Sequence, residues 1–267
     1  MKFRKYIPTK LNSLVFSIFE RKVDIPLKVQ FLPDNTISLI FYIGEKIESA
    51  KGKKVNSKVF NPTETFCFIT GLHTESLHFD MEGLHSIGLN MHPSAIKAFW
   101  GIPVEEFQDV VTDWEMTGDL AYIEDQIRTL QTFQERALWL ENYFFNKLNQ
   151  VDLSLALQLN KMTRRLEQDV LMGKRPDIEA YSGYSKMHTH RLFKDWMGLT
   201  PGKLLRYKQF LRAIDLMHQS EQNLTQIGYE CGFYDQSHFI RVFEEFAQMT
   251  PGKYQKNKSP LPGILLW

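Results

Sequence analysis

The feature that most constrains this chain is an internal repeat in its last third. Residues 185–203 and residues 235–253 align at an offset of 50 positions. Each copy follows a turn that contains glycine, so the pattern predicts two copies of a helix–turn–helix unit. The identical pairs are His188/His238, Arg191/Arg241, Phe193/Phe243, Thr200/Thr250, Pro201/Pro251, Gly202/Gly252 and Lys203/Lys253.

A capping residue and an inward stripe define the second helix of each unit. Ser185 and Asp235 stand where a side-chain oxygen can accept an unpaired backbone N–H at the helix start. Positions spaced i, i+3, i+4 and i+7 are expected to face inward. They are Thr189, Leu192, Phe193 and Trp196 in the first copy, and Phe239, Val242, Phe243 and Phe246 in the second.

The opposite faces of these two helices carry mainly hydrogen-bond donors. Such a face after a tight turn suits the DNA major groove, where Arg can bridge guanine O6 and N7 and Gln can pair with adenine. A single unit of this shape is also common as an ordinary helical corner, so the duplication is what favours DNA. The outward residues are Lys186, Met187, His190, Arg191 and Lys194, then Tyr234, Gln236, Ser237, His238 and Arg241.

Residues 204–219 are predicted to form one helix between the units, with Pro201 near its start. Sixteen residues at the rise of an α-helix span about 24 Å. With the flanking turns, the two recognition helices could lie about 34 Å apart, one turn of DNA. Lys203 and Lys253 stand at the start of the helix after each recognition helix, where contacts to DNA phosphates are expected.

The charge is distributed unevenly along the chain. Residues 1–160 hold 16 Lys and Arg against 20 Asp and Glu, a balance of −4, whereas residues 161–267 hold 16 against 11, a balance of +5. This asymmetry favours two domains with different partners, the second partner being a polyanion. The other interpretation is a helical protein-interaction module that does not read DNA.

The first half of the chain is predicted to be rich in β-strands. Apolar and β-branched runs at residues 14–19, 37–43, 65–69 and 85–91 are separated by turn residues, and a short helix follows at 94–101. From Gly118 to about residue 150 the chain is predicted to form one long helix, because residues 119–150 contain neither Pro nor Gly. Its apolar stripe either forms a dimer seam or packs on the chain's own strands.

Catalytic and metal-binding patterns were weighed against this interpretation. No apolar run is long enough for a membrane span, and no signal peptide is evident. Cys67 and Cys231 are too far apart in the sequence to indicate a disulfide framework, so we expect the protein to lie in the reducing cytoplasm. His73, His78, His85 and His92 fit no compact metal motif, and we predict neither metal nor cofactor. A DNA-repair alkyltransferase would need Cys67 as a nucleophile, but its apolar surroundings favour a packing role. We therefore predict no enzymatic activity.

Residues 160–255 resemble the AraC/XylS family of bacterial transcriptional regulators. The resemblance is carried by residues 227–243 (IGYECGFYDQSHFIRVF), by Met249-Thr250-Pro251 and Tyr254, and by residues 210–217, which resemble the family's linker helix. It implies a DNA-binding domain of seven helices with two helix-turn-helix units. The base-contacting positions it implies are Met187, His190, Arg191, Gln236, Ser237, His238 and Arg241.

Several positions depart from the family pattern. Thr189 replaces a usual Leu, Gln209 a frequent Arg, and Gly228 a usual Ala. Gln248 replaces a helix-ending Gly, and Glu179 stands where a small residue is usual.

The N-terminal half resembles a domain of unknown function that precedes this module in some regulators. The cue is Leu32-Pro33-Asp34-Asn35 followed by the apolar strand 37–43. The family often carries a β-barrel effector domain at this place.

These observations predict an α+β chain in three parts. Residues 1–150 would form a barrel-like β-rich domain with a helical extension, for effector binding or oligomerisation, and residues 151–258 an all-α DNA-binding domain. The apolar tail, residues 259–267, would dock on the body or on a partner. The expected partners are double-stranded DNA, a small-molecule effector, a second copy of the chain and, for an activator, RNA polymerase, but no membrane.

Overall fold

The computed structural model describes residues 2–11, 14–43, 49–53, 66–113, 119–148, 152–174 and 176–266. The boundary predicted between residues 150 and 151, Thr65 of the third predicted strand, Trp267 and the side chain of Glu179 lie outside what is described. Among the described helices, none is both long and apolar enough to cross a membrane.

The strands form two antiparallel sheets, which we call the sheet region. The first has the order β1-β2-β8-β4-β6-β9 and the second the order β10-β3-β7-β5. The strands are β1 Lys2–Tyr6, β2 Val15–Val23, β3 Leu27–Phe31, β4 Ile37–Tyr42, β5 Ser49–Lys53, β6 Cys67–Thr70, β7 Leu77–Glu82, β8 Leu84–Met91, β9 Val111–Asp113 and β10 Ile264–Leu266.

Two separate cores follow from the alternation of side chains along the strands. On β2, Ile18 belongs to a core shared with the helices, whereas Phe19 and Val23 belong to a smaller core between the two sheets. Each sheet keeps its two edges among the described residues, so the predicted barrel is open and the strands instead face each other as two sheets. Short turns let consecutive strands change sheet, as at Gly83 between β7 and β8, where φ is 65°.

The first helices pack on the outer face of the six-stranded sheet. Helix α1, Ser94–Trp100, ends at Gly101 with φ of 73°, as predicted. The prediction of one long helix after residue 118 is wrong, because the chain forms α2, Leu120–Thr129, and α3, Phe133–Leu148.

A capping arrangement causes the break between α2 and α3. Glu135 accepts hydrogen bonds from the backbone N–H of Thr132 at 2.8 Å, and the Thr132 hydroxyl accepts from the N–H of Glu135 at 3.2 Å. This reciprocal pair starts a new helix. The guanidinium of Arg136 donates to the carbonyls of Ile127 and Leu130 at the end of α2, at 2.9 and 2.6 Å.

The apolar stripe on α2 and α3 is buried inside the chain. Ile127, Ala137 and Phe144 have no exposed surface, and the ring of Phe144 lies 5.3 Å from that of Phe99 on α1. The stripe therefore packs on the chain's own body, and the alternative of a dimer seam along it is wrong.

The rest of the chain before the tail is helical, and we call it the helix-turn-helix region. Helices α5 and α6 form the first unit, α8 and α9 form the second, and α7 joins them. The helices are α4 Ser154–Leu171, α5 Ile178–Ser182, α6 Lys186–Met197, α7 Pro201–Gln219, α8 Leu224–Glu230, α9 Gln236–Ala247 and α10 Pro251–Asn257.

Two glycines of the second unit have different roles. Gly232, in the turn between α8 and α9, has φ of 76°, and a Cβ there would lie 3.0 Å from the carbonyl oxygen of Val170 on α4. Gly228 lies within α8, where a Cβ would contact the ring of Phe239 at 3.4 Å, an ordinary van der Waals distance.

We therefore expect opposite effects of alanine at these two glycines. Gly228→Ala should raise the free energy of unfolding by about 0.5–1 kcal/mol, because alanine loses less backbone entropy in a helix. Gly232→Ala should lower it by at least about 1 kcal/mol, because the left-handed conformation is strained with a Cβ. Urea unfolding of both variants measures this, and shifts of the same sign would contradict it.

The C-terminal tail docks on the sheet region. Strand β10 pairs antiparallel with β3, with Leu265 opposite Gln30. Leu265 is 1% exposed, whereas Leu266 is 42% exposed. Of the two alternatives for the tail, docking on the chain's own body is the one observed.

Neighbouring leucines of the tail give a matched test of this docking. Leu265→Ala should lower the free energy of unfolding by about 2 kcal/mol or more, as for other buried leucines. Leu266→Ala should change it by less than about 0.5 kcal/mol because its side chain is exposed. Equal effects in thermal or urea unfolding would mean that β10 does not pack in solution.

Candidate nucleic-acid interface

The outward face of α9 is largely exposed. Asp235 caps the helix by accepting from the N–H of His238 at 2.7 Å. Gln236, Ser237 and Arg241 are exposed, and His238 is half-buried. Burial and the neighbouring charge of Arg241 lower the pKa of His238, so its ring is neutral near pH 7. The predicted inward residues Phe239, Val242, Phe243 and Phe246 are all buried.

The outward face of α6 has the same construction. Ser185 caps the helix by accepting from the N–H of His188 at 3.3 Å. A guanidinium nitrogen of Arg191 lies 3.1 Å from Nδ1 of His188. Of the predicted outward residues, His190 is half-buried and the others are exposed, namely Lys186, Met187, Arg191 and Lys194.

Thr189 fits the inward face of α6 despite its hydroxyl. The side chain is fully buried, and its Oγ1 donates to Ser182 Oγ at 2.8 Å and lies 3.1 Å from the Ser185 carbonyl. Because the polar atom is satisfied, this departure from the family pattern does not disturb the first unit.

The two predicted phosphate-contacting lysines lie at equivalent helix starts but in different surroundings. Thr200 and Thr250 cap α7 and α10 by accepting from the backbone N–H of Lys203 and Lys253. The side chain of Lys253 is exposed, whereas Nζ of Lys203 donates to Thr74 Oγ1 of the sheet region at 3.3 Å.

The first unit is docked against the sheet region. Lys194 on α6 forms an ion pair with Glu105 at 3.4 Å, and Asp195 pairs with Lys97 at 3.0 Å. A Cβ at Gly198, which ends α6, would lie 2.9 Å from the side chain of Leu72. The recognition helix of this unit thus has one flank against the sheet region.

The second unit contacts the sheet region through Gln248 at the end of α9. Gln248 adopts the left-handed conformation with φ of 56° where the family usually has Gly. Its side chain accepts from Ser76 Oγ at 2.9 Å and donates to Glu75 at 3.1 Å. These bonds hold the helix end and leave the outward face of α9 exposed.

Gln209 on the linker helix stabilises the turn of the second unit. Its Nε2 donates to the carbonyls of Cys231 and Gly232, at 3.1 and 3.0 Å. Both carbonyls belong to the glycine turn between α8 and α9. This role could not be predicted from the sequence, because the bond depends on how α7 crosses α8.

A cavity of about 200 Å³, which was not predicted from the sequence, lies between the two sheets. Arg21 on β2 lines it, with its guanidinium 5.3 Å from the ring centre of Phe19 and 5.1 Å from that of Phe31. Burial lowers the pKa of Arg21 to about 10. The signal in the sequence was a charged residue in the inward phase of β2, between Phe19 and Val23.

The alternative sites considered from the sequence do not assemble. His85 is bonded to Glu20 at 3.3 Å and His92 to Ser94 at 2.7 Å, so these rings belong to separate local networks. The described residues contain no cluster of three groups that could hold a metal. Cys67 is 1% exposed and burial raises the pKa of its thiol, which is the opposite of what a nucleophilic cysteine needs.

Comparison with known families matches both halves of the chain. A family described as a helix-turn-helix domain matches residues 179–257, and one described as a domain of unknown function (DUF6597) matches residues 7–113. Together they cover more than two thirds of the chain.

Individual relatives are similar over shorter stretches. The HTH-type transcriptional activators RhaS of Escherichia coli and of Shigella boydii are each 42% identical over 50 residues, 19% of this chain. The chain spans only 18% of the length of these curated relatives.

Solved structures are similar at lower identity. ToxT from Vibrio cholerae is 16% identical, with a TM-score of 0.47 over 90% of this chain and 96% of that one. A regulator with an AraC-type DNA-binding domain from Chromobacterium violaceum is 24% identical, with a TM-score of 0.35 over 40% of this chain and 97% of that one.

Two family matches in the expected order, together with the 50-residue match to a named activator, agree with the capped and repeated helices described above. These findings support the resemblance of this chain to the AraC/XylS family of transcriptional regulators.

Proposed function

We propose that this protein is a sequence-specific DNA-binding regulator that inserts α6 and α9 into successive major grooves on one face of the duplex. The observation that carries the proposal is the equivalence of the two helices. Each is capped by a side chain, follows a glycine turn and exposes donors on the face away from its core. Helix α7 joins them with 19 residues, about 28 Å at the rise of an α-helix.

The outward residues divide by the part of DNA that each would contact. Met187, His190, Arg191 and the neighbouring Lys186 and Lys194 would face bases and groove edges from α6. Lys203 and Lys253 would contact phosphates, since each lies at the start of a helix behind the reading face. From α9 the corresponding groove-facing residues are Gln236, Ser237, His238 and Arg241.

The two units differ in whether their DNA-facing lysines are already bonded within the chain. Lys194 on α6 and Lys203 at the start of α7 are bonded to Glu105 and Thr74, so full engagement of the first unit requires these contacts to open. Lys253 and the α9 face have no such contact among the described residues. We propose that α9 supplies the primary base readout and that the first unit joins after release from the sheet region.

We further propose that the protein activates transcription in the cytoplasm through contact with RNA polymerase. The support is the identity over 50 residues to relatives named as transcriptional activators. The sheet region would control this activity by binding a small effector in its cavity or by pairing with a second copy of the chain.

Arginine and lysine variants distinguish base reading from phosphate attachment. Arg241→Ala and Arg191→Ala should each cost about 1–3 kcal/mol of binding free energy and relax preference at one base pair only. Lys253→Ala should weaken all sequences alike and reduce the salt slope by about one unit.

The measurement is a selection of bound sites from random duplex DNA, repeated with each variant. If both arginine variants keep the wild-type preference at every position, α6 and α9 do not read bases. If the wild-type chain selects no sequence, it acts as a protein-interaction module instead.

Control through the sheet region gives a second measurable expectation. A thermal shift with a small molecule, or a dimer in sedimentation at micromolar concentration, is expected because the cavity and the exposed sheet edges are separate from the DNA-reading faces. A monomer that shows no shift across a broad metabolite set would contradict both forms of control.

A further inference from the structure

A basic cleft of about 990 Å³ lies between α4, α7 and the sheet region. Four cationic side chains line it, and among the described residues they face one carboxylate, that of Glu167. The cations are Lys161, Arg164 and Arg165 on α4 and Lys208 on α7. This excess of positive charge along a concave surface favours an anionic partner.

Two of the four cations are free to pair with a partner. Lys208 already pairs with Glu167 at 3.7 Å, and the guanidinium of Arg165 lies 4.0 Å from the ring centre of Tyr181. Lys161 and Arg164 are exposed, and neither forms an ion pair with any residue that the structure describes. Because both cations are hydrated, one pair with an incoming carboxylate contributes little, and several pairs must act together.

His92 forms part of the cleft wall and lies in the same positive field. Burial and the neighbouring charges of Lys208 and Arg164 lower its pKa to about 4, so the ring is neutral at pH 7. Its Nδ1 accepts from the backbone N–H of Ser94 at 3.2 Å, which leaves the ring proton on Nε2. The wall thus carries a neutral hydrogen-bond donor beside the cations and disfavours any further positive charge.

Two exposed apolar side chains also line the cleft. Phe16 on β2 is 41% exposed, and Leu157 on α4 is 53% exposed. The ring of Phe16 makes an edge contact with that of His92, with 5.8 Å between the ring centres. Exposed apolar surface beside a row of cations is typical of a protein interface, and it favours a partner that combines an apolar side chain with carboxylates.

The lining of the cleft follows one face of α4. The spacing i, i+4, i+7 and i+11 places its members on the same side of the helix, and they are Leu157, Lys161, Arg164 and Gln168. This face is about 16 Å long at the rise of an α-helix, the length of about five residues of extended chain. Sites for small molecules are lined mainly by apolar and aromatic side chains, whereas this face is polar along most of its length. The lining therefore fits a peptide segment.

The cleft lies away from the part of α6 that we propose to read DNA. Met197, the last residue of α6, lines the cleft, whereas Met187 stands near the start of the helix. The ten residues between these positions correspond to about 15 Å along the helix. A cube with the volume of the cleft has an edge of about 10 Å, and a duplex, whose major groove alone is about 12 Å wide, does not fit in it. The shape of the cleft therefore favours a protein segment over DNA.

We propose that this cleft binds an acidic segment of a partner protein, with carboxylates on Lys161 and Arg164 and an apolar side chain against Phe16 and Leu157. The proposal goes beyond the proposed function and does not rest on it. If the protein also binds DNA as proposed, the start of α6 stays unobstructed by the segment, and partner and DNA bind together.

Fluorescence anisotropy of the full-length protein with labelled peptides tests this proposal. The probe is a short peptide in which glutamates alternate with leucines. One counterpart has lysine in place of every glutamate, and another has serine in place of every leucine. The glutamate–leucine peptide should bind at least tenfold more tightly than the lysine peptide and several-fold more tightly than the serine peptide. Its affinity should fall as salt is added, because the charges involved are exposed.

Variants with reversed charge locate the peptide in the cleft. The double variant Lys161→Glu with Arg164→Glu should weaken binding at least tenfold, because two attractions become repulsions. Lys256→Glu is the matched control, since Lys256 is exposed on α10 and does not line the cleft, and it should change the affinity less than twofold. Leu157→Ser should weaken binding and leave its salt dependence unchanged. Arg164→Gln gives the same test with a smaller loss if the double variant does not fold.

Competition identifies the class of occupant. Neither octanoate nor a short duplex of random sequence should displace the labelled peptide. Displacement by octanoate at a lower concentration than by unlabelled peptide would make the cleft a small-molecule site. Displacement by the duplex, with loss of DNA affinity in the double variant, would make it a DNA contact. Either result overturns the proposal, and so does equal binding of the lysine peptide or an equal effect of the double variant and Lys256→Glu. A chain that binds the peptide but no DNA would overturn the proposed function instead.

Discussion

The arrangement of the sheet region against the helix-turn-helix region depends on the hydrogen bonds of the Tyr207 hydroxyl. Tyr207 is fully buried in the linker helix, its ring lies 4.9 Å from that of Phe246 of the second unit, and its hydroxyl donates to the carbonyl of His73 at 2.8 Å. The same oxygen accepts from the N–H of Asn35 at 3.0 Å. One side chain thus satisfies two backbone groups of the sheet region while packing in the aromatic core of the helices. Leaving those groups unpaired would cost about 1–3 kcal/mol each.

The linker helix α7 therefore does more than set the distance between α6 and α9. Lys203 and Tyr207 of α7 form hydrogen bonds with the sheet region, and Gln209 of the same helix donates to the turn of the second unit. Movement of the sheet region against α7 would reach both units, because α7 packs in the core that they share.

Local chemistry explains which parts of this structure could be predicted from the sequence. The caps at Ser185 and Asp235 and the helix stop at Gly101 follow from backbone rules that act over a few residues, and all are found. The single helix after residue 118 was wrong because the periodic pattern hid a new cap at Thr132. The cavity escaped prediction because its lining residues, Arg21 and His73 among them, come together only once strands distant in sequence form two facing sheets.

The hydrogen bonds that they form explain several of the departures from the family pattern. Thr189 and Gln209 form hydrogen bonds within the helix-turn-helix region, whereas Gln248 bonds to Ser76 of the sheet region. A left-handed conformation at a non-glycine residue costs about 1 kcal/mol, so Gln248 is retained at a local cost that its two bonds to Ser76 and Glu75 offset. Separating Gln248 from residues 73–76 would remove those bonds and leave the strain, at a cost of about 0.5–3 kcal/mol for each bond. A gap of that size is within the range that the differential binding of one small ligand can shift.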